Sequence, residues 1–150
     1  MQAATVRLDI RPCPLTVSAV YCPPSHVVPT DDYVTFFQSL GSRFLIGGDW
    51  NAKHTAWGAR LTTPKGRNLR AAISKSNCLY FRTGGPTYLP TDPNKLPDLL
   101  DFFVTRGLPA TYIQVVSVFE LSSDHSPIVA FIGAGFARDS DRSNDCHNSY

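Results

Sequence analysis

Glutamate is almost missing from this chain: Glu120 is the only one among 12 acidic residues. None stands before Tyr21, where the single acid, Asp9, alternates with Leu8 and Ile10 like an ordinary strand residue. Cysteine is sparse as well. Cys13, Cys22, Cys78 and Cys146 contain no pair at CxxC spacing, and His26 and His147 complete no zinc pattern. We therefore expect reduced thiols in an intracellular protein. No apolar run approaches the roughly 18 residues of a membrane helix, and the N-terminal MQAATVRLDIRPCP lacks the apolar core of a signal peptide. Charged residues make up only 17%, and a net charge of +2 is too small to announce a polyanionic partner by itself. Internal repeats and an interior domain boundary are also missing.

What is present is an apolar chain broken often by proline and glycine. At 150 residues and 43% hydrophobic, it has the length of one globular domain. Short β-rich runs dominate: Val6, Leu8 and Ile10 alternate with polar residues, and so do Leu15, Val17, Ala19 and Tyr21 up to Pro23-Pro24. Buried strands are expected over 43–47 and 99–104, and further strands over 112–119 and 127–132. One helix is expected after Thr30 as N-cap, with Asp31 and Asp32 in its first turn and Gly41 beyond its end. A second runs through about 66–76, with Leu69, Ala72 and Ile73 on one face. Segments 52–66 and 82–97 read as loops. Interleaved strands and helices at this density suggest a layered α/β (α+β) domain over 1–135, followed by a polar, disordered tail over 136–150.

Four local features can carry chemistry. In GGDWNAKH (47–54), a buried strand runs into two glycines and then presents Asp49 and Asn51, which share one face of an extended chain. A carboxylate beside an amide there can hold a water or metal and a phosphoryl oxygen; the plainer reading is a turn. In SSDHSPI (122–128), Asp124 can ligate a cation and His125 can move a proton near neutral pH, against the alternative of an exposed polar loop. Asp101 lies inside the apolar LLDFFV and is costly there unless paired; a histidine would satisfy it and be oriented by it. Asp98 is a rival, but it follows Pro97 and reads as loop. Tyr21, ending its strand in VYCPPSH, can donate to a phosphate, though such a tyrosine is more often packing. Basic residues cluster just after Asn51: Lys53, Arg60, Lys65, Arg67 and Arg70 can track a nucleic-acid backbone or simply face solvent. Trp50 and Trp57 can stack on bases, with core packing the stronger expectation for Trp50.

The order of these features is more specific than any one of them. Tyr-x-Pro-Pro, Gly-Asp-x-Asn, an apolar strand with one Asp, then Ser-Asp-His before a strand resembles the endonuclease/exonuclease/phosphatase superfamily, which includes the abasic-site and DNase I-like nucleases. GGDWNAKHTAWG followed by a basic helix is similar to the endonuclease domain of jockey-type non-LTR retrotransposons. The resemblance covers about residues 6–132. It implies a four-layer sandwich of two β-sheets flanked by helices, here as its C-terminal part, with the site at strand ends on one edge. It implies that Asp49 contacts the attacking or metal-bound water and that Asn51 binds the scissile phosphate. His125 acts on the phosphate, oriented by Asp101; Asp124 and Asp49 hold Mg²⁺ or, in its place, Mn²⁺. Tyr21, Lys53 and Arg67 bind substrate. DNA is the implied partner, without a membrane, and a reverse transcriptase domain and nuclear action follow from the retroelement likeness alone.

The family also carries a metal-proximal Asn and a principal Glu ligand on earlier strands, and this sequence has no counterpart to either. We therefore expect a fragment with an incomplete metal site, exposed apolar surface and unpaired strand edges. Two rivals follow: a catalytically dead nucleic-acid-binding remnant, and a phosphatase or phospholipase of the same superfamily.

Overall fold

A computed structural model describes residues 1–118 and 123–133. The expected polar tail over 136–150, Glu120 and Cys146 lie outside these. Among the described residues, two α-helices and two sheets make up the architecture, with short 3-10 helices at Thr55–Trp57 and Ala110–Tyr112. Strands β1 (Gln2–Leu8), β2 (Leu15–Tyr21), β3 (Phe44–Asp49), β4 (Leu79–Phe81) and β5 (Asp101–Arg106) form a sheet in the order β1-β2-β3-β5-β4. β2 and β3 are parallel, and the remaining pairings are antiparallel. A hairpin-paired second sheet consists of β6 (Ile113–Ser117) and β7 (Ile128–Ile132).

Helices α1 (Thr30–Ser39) and α2 (Pro64–Lys75) cover one face of the large sheet. The period-two alternation of strand side chains decides what each face buries. Phe44 and Ile46 of β3 and Phe102 and Val104 of β5 point to the helices, where they meet Tyr33, Phe37, Leu69 and Ile73. Leu45 of β3 points the other way, joining Leu15, Val17, Phe103, Val115 and Ala130 in a second cluster between the sheets. The expected α/β fold of two sheets with helices is thus present, and among the described residues it appears as a helix layer and two sheet layers.

Several local expectations need correction. Thr30 is the first residue of α1, not its cap. Pro29 stands at the N-cap without a side-chain bond, its ring already fixing an extended-compatible φ of −61°. Helix α2 begins earlier than 66: Thr63 caps it, its Oγ1 accepting from the Gly66 amide at 3.2 Å, with Pro64 in the first turn. β4 was hidden in sequence because three residues are too short to show a period. Cys22 and Cys78 are free and buried. β1 is exposed along its whole length, with Val6 60% and Leu8 40% exposed, so the expected apolar edge is present.

Two glycines bring β3 against its neighbours. A Cβ on Gly47 would lie 2.3 Å from the Phe103 ring. On Gly48, whose φ is +146°, it would lie 2.1 Å from the Val20 carbonyl oxygen. Packing this close holds the end of β3, and with it Asp49, between β2 and β5.

Candidate active site

Strand register assembles the site. Tyr21 of β2 is paired with Asp49 of β3, and Asp49 with Asp101 of β5, so three residues separated widely in sequence form one transverse row. Directly paired residues project to the same face. That face is the one Leu45 and Phe103 share, which opens between the two sheets. The row therefore sits at the end of the inter-sheet space, where β6 and β7 reach it through the loop carrying His125.

Beyond Asp49 the chain turns sharply. Trp50 drives into the core, fully buried, with its Nε1 donating to the Phe102 carbonyl at 3.0 Å and its amide donating to Leu100. Asn51 returns to the site with a left-handed φ of 43°. Its amide donates to Asp49 Oδ1 at 2.8 Å and its Nδ2 to Oδ2 at 2.6 Å. Asn tolerates this backbone region better than most residues, which explains why an Asn can follow the strand here.

His125 closes the row from the far side. Its Nδ1 lies 2.9 Å from Asp101 Oδ2, the pairing anticipated for the carboxylate inside LLDFFV. The loop is held by backbone bonds to residues 87–89: the Ser126 amide donates to the Thr87 carbonyl at 2.7 Å and the Leu89 amide to the Asp124 carbonyl at 2.6 Å. The Tyr88 ring lies 5.1 Å from the imidazole. Thr87, fully buried, takes amide bonds from Leu100 and Asp101 on its Oγ1, so one hydroxyl ties the Asp101 strand to the histidine loop. Sequence inspection gave no signal for Thr87, which lay in an apparent loop.

Asp98 follows Pro97 and reads as loop, yet it is almost wholly buried. Its Oδ1 accepts from the amides of Arg60 and Leu99, and its Oδ2 lies 2.8 Å from Lys53 Nζ. Lys53 lines the cleft from this anchored position, while the start of α2 pins its backbone: the Thr63 amide donates to the Lys53 carbonyl at 3.0 Å. Replacing Lys53 with Met would strand a carboxylate whose side chain is 0% exposed, whereas the lysine is 31% exposed. We expect a loss of about 2–3 kcal/mol in urea unfolding, below the full cost of breaking a buried pair because the ammonium is partly solvated. Asp98→Asn, which removes the charge, should cost less; equal stability of Lys53→Met and wild type would refute the anchoring.

A cleft of about 700 Å³ runs past these groups, lined by Tyr21, Asp49, Asn51, Lys53, Asp101 and His125 among others. Burial, and after it the neighbouring Asp101 charge, pushes the Asp49 carboxyl up to about 6, against the lowering effects of the Asn51 amide, His125 and Lys65. Among the described residues no three of His, Cys, Asp or Glu converge as a metal site. Asp124 is exposed and does not line the cleft. Arg67 is exposed on α2 and is not among the residues that line the cleft. Lys65, counted with the basic cluster, is instead buried, its ammonium donating to the carbonyls of Pro23 and Pro24 behind Tyr21. Trp57 is core, like Trp50, and its Nε1 donates to the Ala52 carbonyl, so neither indole is free to stack on a base.

This geometry has relatives. Residues 15–129 match the family model described as endonuclease-reverse transcriptase. The chain is 40% identical over 133 residues to the RNA-directed DNA polymerase from mobile element jockey of Drosophila melanogaster, covering 89% of this chain and 14% of that protein. It is 34% identical over 132 residues to the probable RNA-directed DNA polymerase from transposon BS of the same organism, covering 88% and 15%. The chain thus spans about a seventh of the length of these curated relatives. In structure it is similar to the endonuclease domain of TRAS1, a telomere-specific non-LTR retrotransposon, with a TM-score of 0.75 at 22% identity, covering 87% of this chain and 63% of that one. A beta toxin from Staphylococcus aureus shares the fold at a TM-score of 0.56 and 17% identity, with 87% and 57% covered.

Proposed function

The chain belongs to the endonuclease-reverse transcriptase family, and from that premise we propose that its cleft cleaves a phosphodiester bond in one strand of duplex DNA with the help of Mg²⁺, for which Mn²⁺ can substitute. The observation that carries this reading is the row of Tyr21, Asp49 and Asp101 on adjacent strands, closed by His125. In phosphodiester cleavage water attacks phosphorus, negative charge grows on the phosphoryl oxygens, and the leaving oxygen needs a proton. Asp49 orients the attacking water and accepts its proton. Asn51, held by Asp49, and Tyr21 hydrogen-bond the phosphoryl oxygens. With Asp101 accepting its Nδ1 proton, His125 turns Nε2 to the phosphate region and, as imidazolium, gives the Nε2 proton to the leaving oxygen.

The donors fit a hard divalent ion. Asp49 supplies a carboxylate whose charge is poorly compensated where it stands, and Asn51 an amide oxygen. Mg²⁺ commonly takes one or two carboxylates and keeps several waters. When bound, it would neutralise charge on the phosphate oxygens and acidify a coordinated water. Asp124, exposed beside His125 on the same loop, is the second carboxylate proposed for the ion, with Asp49. A reverse transcriptase domain in the full-length element, and nuclear action, belong to the same proposal.

The test is incubation of this chain with supercoiled plasmid and Mg²⁺, beside an EDTA control. Nicked circles with Mg²⁺ and none with EDTA are the expected result. Salt-dependent DNA binding without nicking would favour the inactive remnant, and cleavage of lipid phosphodiesters alone would favour the phospholipase reading.

A further inference from the structure

We propose that a pocket beside the cleft is a second phosphate subsite, taking a backbone phosphate of the same nucleic-acid strand that runs past Asp49 and His125. The proposal rests on the DNA reading above. The pocket, of about 260 Å³, is lined by Gly58, Arg60, Arg82, Gly84, Gly85 and Asp98, with prolines and Leu99 completing its wall. Two arginines thus line the pocket from segments more than twenty residues apart, and Arg82 carries no signal in the sequence.

The charge balance favours an anion. Among the described residues neither arginine has a carboxylate within ion-pair distance. Asp98 is the only acid in the lining, and it is already met by the Lys53 ammonium at 2.8 Å and by the Arg60 and Leu99 amides. Arg82 spends one donor on the Thr83 carbonyl at 3.1 Å; a guanidinium has five, so most remain available. That group lies beside Gly58, where a Cβ would stand 3.7 Å from Arg82 Cζ, at ordinary contact distance. Gly84 and Gly85 meet nothing where a Cβ would be, which opens their backbone to a close approach by phosphate oxygens. The lining has no aromatic ring on which a base could stack, so the backbone and not a base is the better occupant.

The pocket adjoins the cleft. Lys53 lines the cleft while its partner Asp98 lines the pocket, so a single ion pair forms the wall between them. A strand crossing Asp49 and leaving over Lys53 reaches Arg60 and Arg82 next.

Two titrations test this: a dye-labelled duplex oligonucleotide over a range of salt, and inorganic phosphate followed through the Gly84 and Gly85 amide signals. In Arg60→Ala/Arg82→Ala we expect the slope of log affinity against log salt to shrink by about one, as for loss of one phosphate contact. Arg60→Lys/Arg82→Lys should keep the slope, which a merely structural role of the arginines would not predict. Phosphate should move the glycine amides in wild type and not in the alanine variant. If wild type binds DNA and the alanine variant keeps its slope, the subsite is refuted. If phosphate moves the glycine amides but DNA does not bind, the pocket stands and the DNA reading falls.

Discussion

Replacing His125 with Ala should lower the rate of the proposed Mg²⁺-dependent plasmid nicking by about 10²–10⁴-fold, the usual contribution of one positioned proton-transfer group. The imidazole is 32% exposed and packs on the Tyr88 ring, and Asp101 is 13% exposed. The thermal unfolding midpoint should therefore fall, but by less than in Lys53→Met, whose partner carboxylate is 0% exposed. Nicking is compared where both proteins are folded. The partner of His125 provides the stricter check. Asp101→Asn preserves shape, but an amide Nδ2 facing the ring at 2.9 Å donates where the carboxylate accepted. An Nδ1 that accepts from the amide cannot also hold a proton, so the ring no longer forms the imidazolium that gives the leaving oxygen its proton. Asp101→Asn should thus approach the deficit of His125→Ala, and the double variant should be little worse than either, because the two residues act as one unit. Multiplicative losses in the double variant, or near-normal nicking by Asp101→Asn, would show that the pair does not act in catalysis.

The main chain of this site was legible because its residues break a pattern. Asp101 interrupts an apolar run, and Asp49 with Asn51 follows a glycine pair that no buried strand needs for its own sake. Register then did what spacing alone cannot: it put Tyr21, Asp49 and Asp101 in one row. The supports were illegible for the converse reason. Thr87 and Asp98 sit in a segment rich in Pro and Gly, and their burial comes from contacts with strands and loops far away in sequence. Proline beside Asp98 suggested an exposed loop, yet the Lys53 ammonium makes burial of that carboxylate tolerable. Charge counting misled in the same way at Lys65, which two proline carbonyls hold inside the fold. Composition locates charges along the chain but does not say which face solvent.

Asp49→Asn should abolish nicking and, at pH 7.5, make the protein more stable. Burial and the Asp101 charge raise the Asp49 carboxyl from 3.8 to about 6 in the folded chain. Between about pH 4 and pH 6 the folded state therefore binds more protons than the unfolded one, and stability falls as pH rises through that window. Above it the ionised carboxylate is a standing cost. Asparagine removes this cost, about 1–3 kcal/mol with the lower end favoured because the group faces an open cleft. The gain should fade below pH 4, where both states of the wild type are protonated. Asp101→Asn removes the second contributor to the shift, so it should bring the acid limb of any residual nicking to lower pH. Mg²⁺ offers the wild-type carboxylate the compensation that the fold withholds, so it should raise the wild-type unfolding midpoint and leave that of Asp49→Asn unchanged. A variant less stable than wild type at pH 7.5, or equally stabilised by Mg²⁺, would mean that Asp49 is not the strained anion around which this site is built.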